Sequence, residues 1–298
     1  MKIIFMSSGG IGVSVLNALL QSSHEVVAVY TNSAKNLGRG QQLTFSEIHN
    51  IAKDRNIKVC MPNSFKNEDV KSEFTQIEHD IVVVVSYGFI LPNFVIYGKY
   101  QAINLHPSNL PKWRGAAPIE RCIENGDTYT EICTMFMTPE LDAGNIIERF
   151  QIKIESKTTA CDIYKIVYEK GGKMIISALD KIQKGECDAV LQNGDVLYAK
   201  KIQKSELELN LHEIDANMAY NKIRAFSNYG YSYIIYNNER IKIIAAEMEN
   251  KNILQKDIGK IDENFNLYLK NGIIKPIIVQ RQGKNQIKIE DFLRGWKK

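Results

Sequence analysis

The chain has 298 residues, enough for one or two domains that bury about three quarters of their unfolded surface. Hydrophobic residues make up 44% and charged residues 24%, which excludes wholesale disorder. The longest apolar run, Ile81 to Val85, falls far short of the ~18 residues of a membrane-spanning helix.

Ile3 to Met6 predicts a buried strand that starts almost at the first residue, with no secretory signal core before it, so a reduced cytoplasm is the expected setting. Cys60, Cys122, Cys133, Cys161 and Cys187 are scattered, odd in number and free of any Cys-x-x-Cys pair. They argue against a disulfide framework or a zinc ribbon. After Ser7-Ser8-Gly9-Gly10, the residues Val13, Leu16, Leu19 and Leu20 recur at helical spacing, and Val26 to Tyr30 forms the second predicted strand. Ile81 to Val85 lacks polar alternation, as expected of a central parallel strand covered on both faces. Ala102 to Leu105 predicts a strand ending in His106-Pro107, and Pro118 suits the first turn of a helix through Asn125. Thr159 and Asp162 make a capping-box pattern. It opens a long helix whose apolar face carries Ile163, Ile166, Val167, Met174, Ile175, Ala178 and Leu179. This alternation predicts a doubly wound, Rossmann-like α/β domain over residues 1–188 with a parallel-rich sheet.

The pattern then changes. Residues 189–204 read as a linker containing a turn at Gln192 to Asp195. From 205 to 298 a helix around Asp215 to Phe226 precedes Tyr231 to Tyr236, Asn237-Asn238 and Ile241 to Ala246, a hairpin signal. Strand-like runs follow near Asn266 to Lys270 and Ile273 to Val279, which predicts a smaller β domain, an OB-like barrel of five strands. Charge divides similarly. Residues 1–199 hold 20 Lys+Arg against 22 Asp+Glu, and residues 200–298 hold 18 against 12. The basic C-terminal third suits a nucleic-acid backbone, although a solvated lysine-rich surface has the same composition.

Two stretches invite a chemical reading. Gly10-x-Gly12 follows a strand and opens a helix, as a dinucleotide fingerprint does. But Val15 occupies the third glycine position, and Tyr30-Thr31 offers no acid for a ribose, so a tight strand-to-helix turn is the better reading. The second stretch is Asn104-Leu105-His106-Pro107-Ser108-Asn109-Leu110-Pro111-Lys112-Trp113-Arg114-Gly115-Ala116-Ala117-Pro118-Ile119. Asn104 and His106 lie two apart and share one face at the carboxyl end of a parallel strand, where open α/β sheets bind ligands. An amide donor beside an imidazole can stabilise an oxyanion and move a proton, but two polar residues at a strand end serve structure as often.

This second stretch resembles the signature of the 10-formyltetrahydrofolate-dependent formyltransferases, Asn-x-His-x-Ser-Leu-Leu-Pro, and its continuation resembles the branch of that family acting on methionyl-tRNA. The resemblance extends, more diffusely, along nearly the whole chain. It includes Gly38-Arg39-Gly40, Val83 to Pro92, Leu141-Asp142-Ala143-Gly144, Tyr198 to Ile202, Ile223 to Phe226 and Asp291 to Gly295. The resemblance implies Asn104, His106 and Asp142 as the catalytic set. It implies a formyl-donor pocket for 10-formyltetrahydrofolate walled by Ser86, Tyr87, Gly88, Phe89, Ile90, Leu91, Ser108, Asn109, Leu110, Pro111, Glu140 and Leu141. It further implies initiator methionyl-tRNA as the partner, met by Arg39, Lys200, Lys201, Lys204 and Arg224, with no metal, no membrane and a monomeric enzyme.

Departures from the family pattern bear on the folate-pocket walls and on the details of acceptor binding. The first turn reads Ser7-Ser8-Gly9-Gly10, Asn109 replaces a leucine, Glu140 stands where glycine is usual, Asn145 stands where an acid often follows, and Ser227 to Gly230 replaces a Pro-Trp-Pro-like segment. None removes a catalytic atom. A sugar-nucleotide or ribonucleotide N-formyltransferase would share the same three catalytic residues. The basic C-terminal third and the Gly-Arg-Gly loop favour the tRNA branch, since a nucleotide-sized acceptor needs neither.

Overall fold

The computed structural model describes residues 1–37 and 42–296. Its elements run β1 (Lys2–Ser7), α1 (Ile11–Leu20), β2 (Glu25–Tyr30), β3 (Lys35–Leu37), β4 (Gln42–Thr44), α2 (Glu47–Asp54), β5 (Lys58–Cys60), α3 (Glu68–Thr75), β6 (Ile81–Val85), α4 (Asn93–Ile96) and β7 (Ile103–His106). β8 (Arg114–Gly115), α5 (Pro118–Asn125), β9 (Tyr129–Phe136), β10 (Ile146–Lys153), α6 (Ala160–Lys184) and β11 (Tyr198–Ala199) follow. The chain ends with α7 (Ala216–Ala225), β12 (Tyr233–Tyr236), β13 (Glu239–Asn250), β14 (Leu267–Leu269), β15 (Gly272–Arg281), β16 (Gln286–Lys288) and α8 (Ile289–Trp296). It divides into two units. The first comprises Met1–Arg114, Glu131–Ile152 and Tyr164–Tyr198, and the second Gly115–Thr130, Lys153–Ile163 and Ala199–Lys298.

The first unit is built on a seven-stranded sheet of order β10-β9-β7-β6-β1-β2-β5. β1 pairs parallel with both β2 and β6, β6 parallel with β7, and β9 runs antiparallel to β7. Every residue of β6 is buried, as its unbroken β-branched run requires of a strand covered on both faces. One face packs Ile4, Met6, Ala28, Tyr30, Val82 and Val84 against Phe74 of α3 and Val95 and Ile96 of α4. On the other face Leu105 meets α6 at Gly171. Strand alternation therefore turns Asn104 and His106 away from α6. The chain winds from β1 through β2 to β5, then returns to β6 and β7 on the other side of β1. The loops after β1 and β6 thus flank the switch point at which open α/β sheets hold ligands.

The α6 contact depends on two glycines. A Cβ on Gly171 would lie 2.7 Å from Leu105 Cδ2, and one on Gly172 would lie 2.4 Å from Ala18 Cβ of α1. Val15 of α1, at the position where a dinucleotide fingerprint needs glycine, is fully buried. The close approach is supplied by the glycines of α6 instead.

In the second unit the capping box at the start of α6 is formed: the Thr159 amide donates to Asp162 Oδ2 at 3.1 Å, and the Asp162 amide donates to Thr159 Oγ1 at 3.3 Å. The expected hairpin joins β12 to β13 through Asn237 and Asn238, both at positive φ (47° and 61°), the signature of a two-residue type I′ turn. The five strands form an antiparallel sheet of order β12-β13-β15-β14, with β16 on β15, and no pairing among the described residues closes it into a barrel. β13 shifts register between Ile243 and Ala246, which bends it. Ala219 and Ile223 of α7 and Phe292 of α8 pack with Ile241, Leu267, Ile274 and Phe265 in one core. Arg121 of α5 donates to Glu206 Oε2 and Glu124 Oε2, each at 2.7 Å, joining the 115–130 segment to the start of the C-terminal stretch.

Gly172→Ala raises helix propensity by ~1 kcal/mol but places a methyl inside the α1 contact, and overpacking of this kind costs about 1–3 kcal/mol. Gly295 of α8 has open space around its Cβ position. Urea unfolding should show a lower midpoint for Gly172→Ala and an unchanged or higher one for Gly295→Ala. Equal midpoints would show that the α1–α6 contact relaxes freely.

Candidate active site

Asn104 and His106 are the second and last residues of β7, and both are buried. In the parallel register Val84 stands beside Asn104, so β6 releases the chain into Ser86 at the level of His106. The Ser8 amide donates to the Ser86 carbonyl at 3.0 Å and fixes the loop after β1 to the loop after β6.

His106 is held at both ring nitrogens. Nε2 lies 2.9 Å from the carbonyl oxygen of Trp113. A carbonyl can only accept, so Nε2 carries a proton. Nδ1 faces Asp142 Oδ2 at 3.7 Å, with side-chain exposures of 6% for the imidazole and 14% for the carboxylate. The loop between β9 and β10 thus brings Asp142 to β7, and the three residues expected to act together are assembled in the first unit.

That loop and its neighbours carry unusual backbone conformations. Ser86 (φ 50°), Trp113 (φ 65°) and Asp142 (φ 49°) all occupy the left-handed region. For a non-glycine residue that region is disfavoured by about 1–2 kcal/mol, so surrounding contacts must impose it. At Asp142 they are visible. Gln192 Nε2 donates to the carbonyls of Asp142 (2.7 Å) and Gly144 (2.9 Å), and its Oε1 accepts from Arg114 Nη2 (2.8 Å) and Nε (3.2 Å). Arg114 Nη1 donates to Glu140 Oε1 at 2.8 Å. Gln192 lies in the stretch expected as a linker. That stretch is tied down further by the mutual backbone hydrogen bonds of Val190 and Ile146 and by the Arg114 amide on the Leu197 carbonyl. Sequence reasoning missed both Arg114 and Gln192 as site residues. Their signal is three-dimensional, because 78 positions separate them.

Of the residues expected to wall a folate pocket, Ser108, Leu110, Pro111 and Leu91 are buried. Ile90 and Leu141 are 93% and 57% exposed. Tyr87 turns inward against Phe65 and Phe89, and burial pushes its phenol well above the ordinary range. Asn109 is half-buried, and Ser86, Gly88 and Glu140 are exposed. The Glu140 carboxylate is spent on Arg114.

Of the residues expected to meet tRNA, Lys200, Lys201 and Lys204 are exposed in the second unit. Arg224 is only 8% exposed, and its guanidinium donates to the carbonyls of Thr158 (2.8 Å) and Glu155 (3.3 Å) and to Asn221 Oδ1 (2.6 Å). It ties α7 to the 153–163 segment. Arg39 lies outside the described residues. A groove of about 550 Å³, unforeseen from the sequence, is lined by Lys204, Tyr229, Tyr233, Arg240 and Lys242. The Arg240 guanidinium lies over the Tyr233 ring at 4.3 Å.

Cys133 is the partner of His106 across β9, yet burial pushes its thiol up to about 12. It remains protonated at neutral pH and is no nucleophile. Iodoacetamide at pH 8 should leave Cys133 unmodified in the folded protein by peptide mass spectrometry and label it in urea. Labelling before unfolding would show that the β7–β9 seam opens. Among the described residues no cluster of three or more His, Cys, Asp or Glu side chains is placed to hold a metal, and no helix is long and apolar enough to cross a membrane.

The formyl transferase family matches residues 1–179, and the formyl transferase C-terminal domain family matches residues 201–297. Methionyl-tRNA formyltransferase of Wolbachia pipientis strain wPip is 38% identical over 100% of this chain and 97% of its own length. That of Ehrlichia canis is 37% identical over 99% and 97%. Among solved structures, an N-formyltransferase from Helicobacter canadensis, in complex with folinic acid and dTDP-3-aminofucose, superposes with TM-score 0.68 at 20% identity, covering 93% of this chain and 99% of that one. A methionyl-tRNA formyltransferase from Clostridium thermocellum gives TM-score 0.54 at 14% identity over 84% and 94%. At such identities these structural likenesses are of fold alone.

Proposed function

Because the chain belongs to the formyl transferase family, we propose that it transfers a formyl group from 10-formyltetrahydrofolate to the amino group of methionine on initiator methionyl-tRNA, supporting translation initiation. The observation that carries this reading is the joint placement of Asn104, His106 and Asp142 at the end of β7, in a chain aligned along its whole length with methionyl-tRNA formyltransferases. The Helicobacter protein, in complex with a sugar nucleotide, is a fold-level neighbour only, so a sugar acceptor is the weaker reading.

The methionine nitrogen, once deprotonated, attacks the formyl carbon. A carbon–nitrogen bond forms and the carbonyl oxygen becomes an oxyanion. Asn104 donates a hydrogen bond to that oxygen, the kind of preorganised contact whose loss costs about 10²–10³ in turnover. Collapse breaks the bond to N10 of tetrahydrofolate, and the proton lost by the amine ends on N10. His106 assists this transfer through Nδ1, the nitrogen not engaged by Trp113, and Asp142 orients the ring. The loops 86–91, 108–111 and 138–142 form the folate pocket, with Ile90 and Leu141 covering the pterin and Glu140 acting only through Arg114.

The second unit holds the RNA backbone. Lys200, Lys201 and Lys204, joined by Arg240 and Lys242 of the groove, supply cations, and the exposed Tyr229 supplies a stacking face. Arg224 acts indirectly, holding α7 to the 153–163 segment. On this reading residues 1–188 act as the catalytic domain, 189–204 as the connection and 205–298 as an open relative of an OB-like barrel, with 115–130 and 153–163 packing in the C-terminal unit. Arg39 approaches the acceptor end. We take the enzyme as a monomer working in the cytoplasm, and a sedimentation measurement of the mass in solution tests the first part.

Transfer from 10-formyltetrahydrofolate to methionyl initiator tRNA, against an uncharged-tRNA control, tests the reaction, and absence of product would refute it. Asn104→Ala and His106→Ala should each lower kcat by about 10² or more with the fold intact by circular dichroism. A salt series separates the RNA roles. Lys201→Ala should weaken tRNA binding and flatten the salt dependence by about one counterion or less, whereas Arg39→Ala should lower turnover at unchanged salt slope by misplacing the amine. Full turnover in Arg39→Ala would remove that loop from the mechanism.

A further inference from the structure

The geometry points to Arg114 and Gln192 as positioning residues that clamp the Asp142 loop and set its separation from His106; this rests on the reaction proposed above. The Gln192 side chain is fully committed by its surroundings. Its Nε2 meets two carbonyls, those of Asp142 and Gly144, and its Oε1 meets two guanidinium donors of Arg114. The reverse orientation would point its oxygen at two carbonyls, so the amide has one stable setting. Arg114 gives that setting its stiffness: its side chain is 8% exposed and its planar donors engage Gln192 and Glu140 together.

The clamp acts on the backbone of Asp142 itself, the residue held at φ 49°. The same short segment also fixes the partner. Trp113, immediately before Arg114, accepts from His106 Nε2. Residues 113 and 114 therefore hold the imidazole by a main-chain carbonyl and the carboxylate by a side-chain relay. The 3.7 Å between Nδ1 and Oδ2 is fixed from both sides. Without the clamp, Asp142 can leave the left-handed region toward backbone conformations that no longer present its carboxylate to His106.

Gln192→Glu tests this most directly. It keeps the size and the contact with Arg114 but replaces the donor facing two carbonyls with an acceptor. In formyl transfer to methionyl initiator tRNA, kcat should fall about tenfold or more, with the KM for tRNA and for 10-formyltetrahydrofolate within about threefold of the parent. Asp142→Asn should lower kcat strongly in the parent and by much less in the Gln192→Glu background, because the two act through one geometry. Arg114→Lys should give the same pattern more weakly. Multiplicative effects of Gln192→Glu and Asp142→Asn, or parental kcat in Gln192→Glu, would overturn the assignment. Amide exchange over residues 138–145 reads the clamp without catalysis. It should quicken in Gln192→Glu while β1 and β6 stay protected, and unchanged exchange there would overturn the clamp. A parent chain that transfers no formyl group would fault the reaction, while the exchange measurement would still decide the clamp.

Discussion

One hydrogen bond sets the frame for the whole site: His106 Nε2 to the carbonyl of Trp113, at 2.9 Å. A buried imidazole needs a partner, and an acceptor that cannot donate settles where one proton sits. With Nε2 committed, only Nδ1 faces Asp142, and every other feature of the site concerns how that second face is presented. Trp113 must adopt a left-handed backbone to turn its carbonyl inward, and the loop between β9 and β10 must cross to β7 to supply the carboxylate.

The sheet beneath explains why this frame can be rigid. β7 has β6 on one side and β9 on the other, so the strand ending in His106 is not an edge. Leu105 is pinned from below by α6, whose glycines let the helix approach closely. The polar residues on the opposite side of β7 inherit that immobility. A catalytic pair on a free loop would need its own contacts to reach the same precision.

The sequence made some of this legible and hid the rest for definable reasons. Ile81–Val85, the Thr159–Asp162 box and the Asn237-Asn238 turn are local signals, and each forms as its chemistry dictates. Asn104 and His106 were legible because strand periodicity puts them together, and Asp142 only through family resemblance, since nothing local says where its loop goes. Gln192 looked like a turn residue because its four partners come from Asp142, Gly144 and Arg114, distant in the chain. Arg224 was expected as a tRNA contact because its segment resembles the family's, and a resemblance in sequence does not report that the side chain is buried. The division into units was hidden too, since 115–130 and 153–163 precede the C-terminal stretch in the chain yet belong with it. Closure of the C-terminal sheet is likewise unreadable, because strand count does not encode which edges meet.

Ser86, Trp113 and Asp142 share a left-handed backbone that their side chains oppose. A lineage selected for thermal endurance alone would drift toward glycine or asparagine there, since both tolerate that conformation at less cost. Doing so would loosen or remove the Trp113 carbonyl and the Asp142 carboxylate that hold the imidazole, and the Ser86 carbonyl that ties together the loops after β1 and β6. The site thus marks a limit for consensus-style hardening of this fold: durability can be added in helices, turns and surface charges, but at these three positions it is gained only by giving up definition of the loops around His106.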